Sequence, residues 1–322
     1  MSTKKASHYV LEFEKPLSSL LEKVQELENA QVEGCEDVIQ RLKDEFLQLR
    51  ERIYSNLQPH QRLQLARHPE RPSILDFITS LGTDWIELHG DRNGHDDAAI
   101  VGGILKLNGK TPIVLVGTRK GRHIKEKQKC NFGMPQPHGY QKALRLFKHA
   151  ETFKMPIVTL VDTPGAYPGL EAEMQGQSRA IAMNIQEMSE LTVPIISVIT
   201  GEGGSGGALA LAVANKVLML EHSVYSVISP EGCAAILWRT RDKFPEAAKA
   251  LQITANQLYK LGLIDEIILE PAGGAHKDYK EIGESLKNAV VHCLEELIGV
   301  NEDELRKQRK DKFRQLGVFS EM

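Results

Sequence analysis

Residues 194–220, PIISVITGEGGSGGALALAVANKVLML, decide the class of fold that this sequence adopts. The β-branched run from Ile195 to Ile199 predicts a buried strand, and the small apolar residues 208–214 predict a helix buried on most of its faces. Glycines between the two allow a sharp turn and let a ligand approach bare N–H groups. Because the first N–H groups of a helix lack an intrahelical acceptor, we expect a group that is or becomes negative to bind there.

Two known sequence patterns compete for these glycines. Residues 201–206 match G-x-G-x-x-G, and Glu221 follows at about the distance of the acid in dinucleotide-binding proteins. That fingerprint belongs in the first strand–helix unit of its domain, whereas here it follows several strands. Ser205 lies in a G-x-S-x-G pattern typical of hydrolases, which need an acid and then a histidine later in the chain. His222 directly follows a strand, His292 lies on an apolar helix face, and Ser205 is as compatible with a helix cap as with a nucleophile.

A third interpretation of the segment needs no side chain. Adjacent backbone N–H groups at Gly206 and Gly207 would form an oxyanion hole, which stabilises a carbonyl oxygen as it gains negative charge. The remaining alternative is a tight turn that packs a strand closely on a helix and has no chemical role. This segment by itself leaves the choice open.

Composition places the chain among ordinary globular proteins. Its 322 residues are 41% hydrophobic and 26% charged with a net charge of -3, which does not favour nucleic acid or a membrane as a partner. We expect no secretory signal and no transmembrane segment. The cysteines form no C-x-x-C pair, which argues against a zinc site and a disulfide framework and favours a cytoplasmic protein. They are Cys35, Cys130, Cys233 and Cys293.

Three regions are predicted along the chain. Apolar residues recur at helical spacing in 17–27 and again in 39–53, with Gly34 between, so residues 1–58 predict an antiparallel helical hairpin. The hairpin is either a lid over the core or an interface with a partner chain, and the sequence does not separate the two. Residues 59–298 form the predicted α/β body, and the charged tail 299–322 predicts a peripheral helix beyond Asn301.

Strand, glycine loop and helix occur twice in tandem in the body. A buried strand at 157–161 leads into Asp162-Thr-Pro-Gly and a helix at 172–190, and the strand at 195–199 then leads into the second glycine loop. Loops at the carboxyl ends of neighbouring parallel strands meet over one site. Other predicted strands lie at 100–107 and 110–116, joined by a hairpin turn at Asn108-Gly109, and at 217–220, 225–228 and 264–269. No G-x-x-x-x-G-K-[ST] pattern accompanies the D-x-x-G element, so a GTPase is excluded.

A basic segment follows the second strand of the hairpin. Residues 118–129 contain six Lys or Arg residues against one acid. Such a run is usually a solvated loop, and its functional alternative is an anion site for phosphates. Only Phe132 and Tyr140 offer nearby rings, so stacking on single-stranded nucleic acid is weakly supported. The pattern favours a phosphate-bearing small molecule or an acidic partner surface.

Five longer motifs together resemble the carboxyltransferase alpha-subunit family of bacterial-type acetyl-coenzyme A carboxylases, and the resemblance covers nearly the whole chain. It implies a crotonase-like (ClpP/crotonase) α/β fold, a spiral of β–β–α units, here with the N-terminal helical hairpin. One departure is Thr118-Arg119, where the family usually carries His-Gln. The motifs are Asn131-Phe-Gly-Met-Pro, Gly139-Tyr-Gln-Lys-Ala-Leu-Arg-Leu, Asp162-Thr-Pro-Gly-Ala-Tyr-Pro-Gly, Gly201-Glu-Gly-Gly-Ser-Gly-Gly-Ala-Leu-Ala and Tyr225-Ser-Val-Ile-Ser-Pro-Glu-Gly-Cys-Ala.

The resemblance also implies an activity and its site. The family transfers a carboxyl group from carboxybiotin, held on a biotin carrier protein, to acetyl-CoA, and so forms malonyl-CoA for fatty acid biosynthesis. By this resemblance Gly206 and Gly207 supply the oxyanion hole on the biotin side, and Lys120 and Arg122 are candidate anion contacts. The residues implied to line the substrate pocket are Gly165, Ala166, Tyr167, Pro168, Gly169, Gly203, Gly204 and Ser205.

In this family the alpha chain acts only with partners. A zinc-ribbon beta subunit completes an α2β2 assembly, the biotin carboxyl carrier protein brings the donor, and biotin carboxylase consumes ATP; no metal is implied in this chain. The rival enzyme is a stand-alone crotonase-type acyl-CoA hydratase or isomerase, which needs a general base such as Glu171 or Glu202. A non-enzymatic alternative is an RNA-binding module that uses residues 119–129.

Overall fold

The computed structural model describes residues 9–30 and 35–317. The helices are α1 (Lys15–Ala30), α2 (Glu36–Ser55), α3 (Pro59–Ala66), α4 (Ile74–Leu81), α5 (Ile124–Lys129), α6 (Pro137–Thr152), α7 (Leu170–Met174), α8 (Gln177–Glu190), α9 (Ser205–Leu209), α10 (Pro230–Trp238), α11 (Phe244–Ala250), α12 (Ala255–Lys260), α13 (Tyr279–Leu297) and α14 (Glu302–Arg314). The strands are β1 (Gly82–Glu87), β2 (Ile100–Leu107), β3 (Thr111–Thr118), β4 (Ile157–Thr163), β5 (Ile195–Gly204), β6 (Lys216–Leu220), β7 (Val224–Ser226) and β8 (Glu266–Ile268).

One mixed sheet organises these elements. Its strand order is β1-β2-β3-β4-β5-β6-β8, and the short β7 pairs with the end of β5. The first three strands are antiparallel, and β3 to β8 run parallel. Asn108 and Gly109 have φ values of 50° and 68°, which confirms the hairpin turn that joins β2 to β3.

Helices cover both faces of the sheet. Ile196 and Val198 of β5 pack into a cluster that includes Phe77 of α4. Ile195 and Ile199 of the same strand pack into a second cluster, formed with α6 and α8. Alternate side chains of a strand point to opposite faces, so a run that is apolar on both faces marks a strand buried between two layers. The predicted buried strand is therefore confirmed.

The N-terminal hairpin is also present. Helices α1 and α2 contact each other, and Lys43 near the start of α2 pairs with Glu28 near the end of α1 at 2.7 Å, as an antiparallel pair requires. Gly34, predicted to separate the helices, lies outside the described residues. The hairpin is tied to the body because the Tyr54 hydroxyl contacts both Glu14 at 2.6 Å and the carbonyl oxygen of Gly273 at 3.0 Å.

Two predicted helices differ from those observed. The helix predicted over 172–190 is interrupted at Gly176, whose φ of 83° ends α7 and begins α8. The helix predicted over 208–214 is wrong, because α9 covers only Ser205–Leu209 and turns follow it. Small apolar residues fit a buried turn as well as a helix, so composition did not separate them. Strand β1, which was not predicted, is an edge strand whose residues are partly or fully exposed.

The charged tail contains the predicted helix, α14. Its Arg309 is fully buried and donates hydrogen bonds to the Val193 carbonyl oxygen at 3.2 Å and to Asn215 Oδ1 at 2.6 Å. A third bond reaches the carbonyl oxygen of Leu191. The helix is therefore anchored to the loop that precedes β5. Across the described ranges, no helix is long and apolar enough to cross a membrane.

Candidate functional site

Two glycine loops follow neighbouring strands. Strands β4 and β5 are parallel and paired in register from Ile157 with Ile195 to Val161 with Ile199. We call Gly165–Gly169, after β4, the first glycine loop, and Gly203–Gly207, at the end of β5, the second glycine loop. Their predicted meeting at the carboxyl ends of the strands is confirmed.

The two loops touch through their backbones. A Cβ atom added to Gly204 would lie 2.1 Å from the carbonyl oxygen of Pro164, and one added to Gly207 would lie 2.4 Å from the nitrogen of Ala166. Both distances are far below van der Waals contact, so only glycine permits this approach. Tyr140 supports the contact from behind, because its buried hydroxyl donates to the Gly207 carbonyl oxygen at 3.3 Å.

Backbone donors are concentrated in the second glycine loop. Gly206 and Gly207 lie in the first turn of α9, where N–H groups precede the first intrahelical hydrogen bond. Ser205 has a φ of 50°, a left-handed conformation that is uncommon for a non-glycine residue, and it turns the chain from β5 into α9. A Cβ on Gly206 would be 3.6 Å from Ile181, in ordinary contact. The loop thus offers two adjacent backbone donors next to the first glycine loop.

The hydrolase and cap interpretations of Ser205 gain no support. Gly204 holds the cap position and Ser205 is the first residue of α9. His222 is buried, and its Nδ1 lies 2.7 Å from Arg62 Nη1. Among the described residues, no hydrogen bond joins the Ser205 hydroxyl to a histidine, so the pair that a hydrolase needs is missing there.

Side-chain and backbone hydrogen bonds fix the first glycine loop. The Thr163 hydroxyl accepts from Gly165 N at 3.0 Å and lies 2.7 Å from the Gly165 carbonyl oxygen. Gly165 has a φ of 149°, which favours glycine. Further along, Tyr167 N donates to the carbonyl oxygen of Pro135 at 3.0 Å. The loop is held at both its start and its middle.

A partly buried series of ion pairs lies beside the loops. Lys120 Nζ lies 2.6 Å from Asp162 and 2.7 Å from Glu202, and Arg67 joins Glu202 at 2.7 Å to Glu231 at 2.5 Å. Burial alone would raise the pKa of Glu202, but the charges of Lys120 and Arg67 outweigh it and lower that pKa to about 2. The same carboxylates raise the pKa of Lys120 against the opposing effect of burial. Lys120, predicted as an anion contact, is already paired with two carboxylates.

The rest of the basic segment is also partly neutralised. Arg122 pairs with Asp76, and Arg119 pairs with Glu126. Thr118, where the sequence departs from the usual His-Gln, is buried, and its hydroxyl accepts from the backbone nitrogen of Asp162 at 2.6 Å. Sequence reasoning missed these ion pairs because it considered only the basic residues of the segment. The available signal was acidic: Asp162 directly follows a buried strand and Glu202 lies inside the glycine motif.

A small depression lies beside the loops. The cleft lined by Pro164, Gly203 and Gly204 has a volume of about 20 Å³. Much larger clefts, of about 780 Å³ beside the hairpin and about 590 Å³ between α13 and α14, lie away from the glycine loops. Within the described part of the chain, no three His, Cys, Asp or Glu side chains are arranged to hold a metal ion.

Neither carboxylate expected of a hydratase base is suited to the task. Glu202 has a pKa of about 2, so it is a weak base at neutral pH. Glu171 is exposed on α7. The backbone N–H groups of the second glycine loop are therefore the remaining candidates to act on a substrate.

The class of protein follows from this fold and site. The structure superposes on a chain of transcarboxylase 12S with a TM-score of 0.58 at 21% identity, covering 71% of this chain and 42% of that one. It also matches a chain of the Pseudomonas malonate decarboxylase MdcD-MdcE hetero-dimer, with a TM-score of 0.58 at 16% identity over 78% of this chain and 96% of that one. The fold is that of the crotonase-like carboxyltransferases, as the sequence predicted.

The family is more specific than the fold. Residues 10–317 match the model of the family described as acetyl co-enzyme A carboxylase carboxyltransferase-like, and the chain belongs to that family. Two relatives are named acetyl-coenzyme A carboxylase carboxyl transferase subunit alpha. The protein from Geobacter metallireducens is 53% identical over 98% of this chain and 100% of its own length, and that from Synechococcus elongatus is 52% identical over 97% and 96%. The hydratase alternative finds no support in these names.

Proposed function

We propose that this chain is the alpha subunit of the carboxyltransferase component of acetyl-CoA carboxylase. It would transfer the carboxyl group from carboxybiotin, on a biotin carrier protein, to acetyl-CoA, and so supply malonyl-CoA for fatty acid biosynthesis in the cytoplasm. Support comes from membership of the family and from relatives at 52–53% identity that carry this name over nearly their whole length. The observation that carries the mechanism is the contact between the two glycine loops at Gly207.

The proposed chemistry uses the main chain. Carboxybiotin supplies an activated carboxyl group, and its ureido oxygen gains negative charge as that group leaves. The N–H groups of Gly206 and Gly207, which lie in the first turn of α9, would donate to such an oxygen. One donor of this kind is typically worth about 3–4 kcal/mol of barrier. The biotin nitrogen that loses the carboxyl group would take the proton from the methyl carbon of acetyl-CoA, so no side-chain base is needed from this chain, in keeping with the low pKa of Glu202.

Residues around these donors would shape the pocket. The first glycine loop, Gly165–Gly169, would wall the biotin side, and Gly203–Ser205 would line the opposite side. An anion at Lys120 would have to displace Asp162 and Glu202, so we assign Lys120 chiefly to holding the strand ends together. Arg122, whose side chain is 63% exposed, remains the candidate anion contact.

A second subunit would complete the site. The depression beside the loops is far too small for biotin and a CoA thioester. Large apolar side chains are exposed near each loop. Leu170 and Met174 lie on α7, directly after the first glycine loop, and Val227 and Leu237 lie before and on α10, which follows β7, the strand paired with the second glycine loop at Gly203 and Gly204. Exposed apolar groups that border a site mark an interaction surface. We therefore propose the beta subunit with its zinc ribbon as the partner, in an α2β2 assembly.

Other partners and regions follow from the same proposal. The biotin carboxyl carrier protein would bring the donor, and biotin carboxylase would consume the ATP in a complex of several subunits. The hairpin within residues 1–58 would serve as an interface, residues 59–298 would form the carboxyltransferase domain, and residues 299–322 the charged tail.

The decisive experiment is the reverse reaction. Biotin-dependent decarboxylation of malonyl-CoA is measured with this chain alone, with a beta subunit alone and with their verified complex. We expect activity in the complex only. A verified complex without activity contradicts the proposal, and hydration of an enoyl-CoA by this chain alone would establish the rival enzyme.

A further inference from the structure

Gln177 occupies an unusual place behind the first glycine loop. It is the first residue of α8 and is 3% exposed. Its Nε2 donates to the carbonyl oxygen of Pro135 at 2.9 Å and to that of Tyr167 at 3.0 Å. An amide NH2 has two protons, so both donors are used, and the two acceptors settle which end of the amide is nitrogen. One side chain thus bridges two loops.

A backbone hydrogen bond also joins Tyr167 to Pro135, the two residues that Gln177 bridges. Tyr167 N donates to the Pro135 carbonyl oxygen at 3.0 Å, so that oxygen accepts two hydrogen bonds. Tyr167 is therefore held through both its N–H and its carbonyl group. Together with Thr163 at Gly165, this gives the first glycine loop two fixed points.

The segment that carries Pro135 is held in an unusual backbone conformation. Asn131, Phe132 and Gly133 have consecutive positive φ values of 47°, 56° and 83°. Left-handed backbone at an asparagine and a phenylalanine costs energy and persists only where the surroundings enforce it. The next residue after Pro135, Gln136, is fixed by a 2.7 Å hydrogen bond from its N–H to the buried Asp97. The Asn131–Pro135 motif thus places one carbonyl oxygen against the loop.

The remaining polar atom of Gln177 indicates why a glutamine stands at this position. Its Oε1 is buried and has no hydrogen-bond partner among the described residues. A buried acceptor without a partner is costly, and an apolar side chain of the same shape would avoid that cost. A residue retained only for packing would not leave such an atom, so its two donated bonds account for its presence.

We propose that Gln177 is a positioning residue for the first glycine loop, and that it acts by clamping Tyr167 to Pro135. The inference rests on the proposed function, in which this loop walls the biotin side of the pocket. Through the clamp, Gln177 sets the distance between the first glycine loop and the donors of Gly206 and Gly207. Loss of the clamp acts on biotin and leaves the CoA thioester unaffected.

The test is Q177M, which keeps the length of the side chain and removes both donors. In the complex with the beta subunit, we expect the KM for biotin in malonyl-CoA decarboxylation to rise about tenfold, since two hydrogen bonds are lost. The KM for malonyl-CoA should stay within about twofold of wild type. Q186M is the matched control, because Gln186 is exposed on the same helix. An unchanged biotin KM, or an equal rise in both KM values with a lower Tm, overturns the proposal.

A second readout does not depend on activity. Hydrogen exchange of the Tyr167 amide is compared between wild type, Q177M and Q186M. We expect faster exchange in Q177M alone, because the backbone bond from Tyr167 N–H to Pro135 then lacks the side-chain bridge that holds the two segments together. Unchanged exchange overturns the clamp whether or not the complex is a carboxyltransferase, whereas an inactive wild-type complex with faster exchange in Q177M places the failure in the proposed function. If Q177M does not fold, Q177N, which is too short to bridge both carbonyl groups, gives the same readouts.

Discussion

A Cβ atom on Gly207 would lie 2.4 Å from the backbone nitrogen of Ala166. This contact joins the loop after β5 to the loop after β4, and it is possible because the strands are parallel neighbours in register. One missing methyl group therefore decides how closely the two halves of the site approach each other.

G207A should separate the loops. Its added methyl group meets backbone that cannot move independently, so we expect destabilisation of about 1–3 kcal/mol. In the complex with the beta subunit, we expect decarboxylation to fall about 10²–10³-fold, the effect of losing one oxyanion donor. The folding control is G206A, whose Cβ has room beside Ile181 and whose Tm should match wild type. Wild-type activity in G207A would contradict the proposed role of the loop contact.

K120M should destabilise the protein, because two carboxylates lose their lysine partner. Without Lys120, Asp162 and Glu202 lose a partner while largely buried, and we expect urea unfolding to show a loss of about 3 kcal/mol. The double variant K120M/E202Q should recover part of that loss, because one of the two carboxylates that lost Lys120 is then neutral. A loss below about 1 kcal/mol in K120M would show that the ion pairs are no better than surface pairs.

His276 should make the protein acid-sensitive above the range of its carboxylates. Burial, the neighbouring His68 and nearby cations lower the pKa of His276 from 6.5 to about 3. Between these two values the unfolded chain binds a proton that the folded protein does not, so stability falls as the pH falls. In H276F, which keeps a ring to stack on His68, the urea midpoint should vary less between pH 6.5 and 5. An equal slope in wild type and H276F would assign the acid sensitivity to other groups.

L237K tests the exposed apolar surface on α10. Leu237 is 64% exposed on α10, so a lysine should leave the Tm of the isolated chain unchanged. If the beta subunit covers this surface, we expect the Kd of the complex, measured by calorimetry, to rise about 30-fold or more. F153K is the matched control, because Phe153 is 60% exposed just before the amino-terminal end of β4, at the other end of the sheet. Equal affinities of L237K and wild type would remove α10 from the interface.

Much of the fold could be predicted from the sequence because its signals are local. The β-branched runs of β4 and β5, the Asn108-Gly109 turn and the helical spacing of α2 each depend on a few adjacent residues. Strand β1 could not be predicted in this way, since an edge strand with exposed residues has no apolar pattern. The burial of Arg309 could not be predicted from local sequence either. It lies in a charged run, yet it is fully buried, because carbonyl groups distant in sequence accept its hydrogen bonds.

The site shows the same division. The meeting of the glycine loops follows from the repeated order of strand, loop and helix, and it was predicted. The pairing of Lys120 was not, because Asp162 and Glu202 are 42 and 82 residues away in sequence and approach it only after the sheet forms. Gln177 gave no signal at all. Its role depends on two carbonyl groups, and every residue type carries one.

The loop contact at Gly207 affects how readily substitutions could give resistance to an inhibitor of this site. A compound that takes its hydrogen bonds from the N–H groups of Gly206 and Gly207 uses atoms that no codon change deletes, short of proline. At Gly207, any side chain also meets the backbone of Ala166. Resistance by substitution at Gly207 would therefore damage the enzyme along with the drug contact.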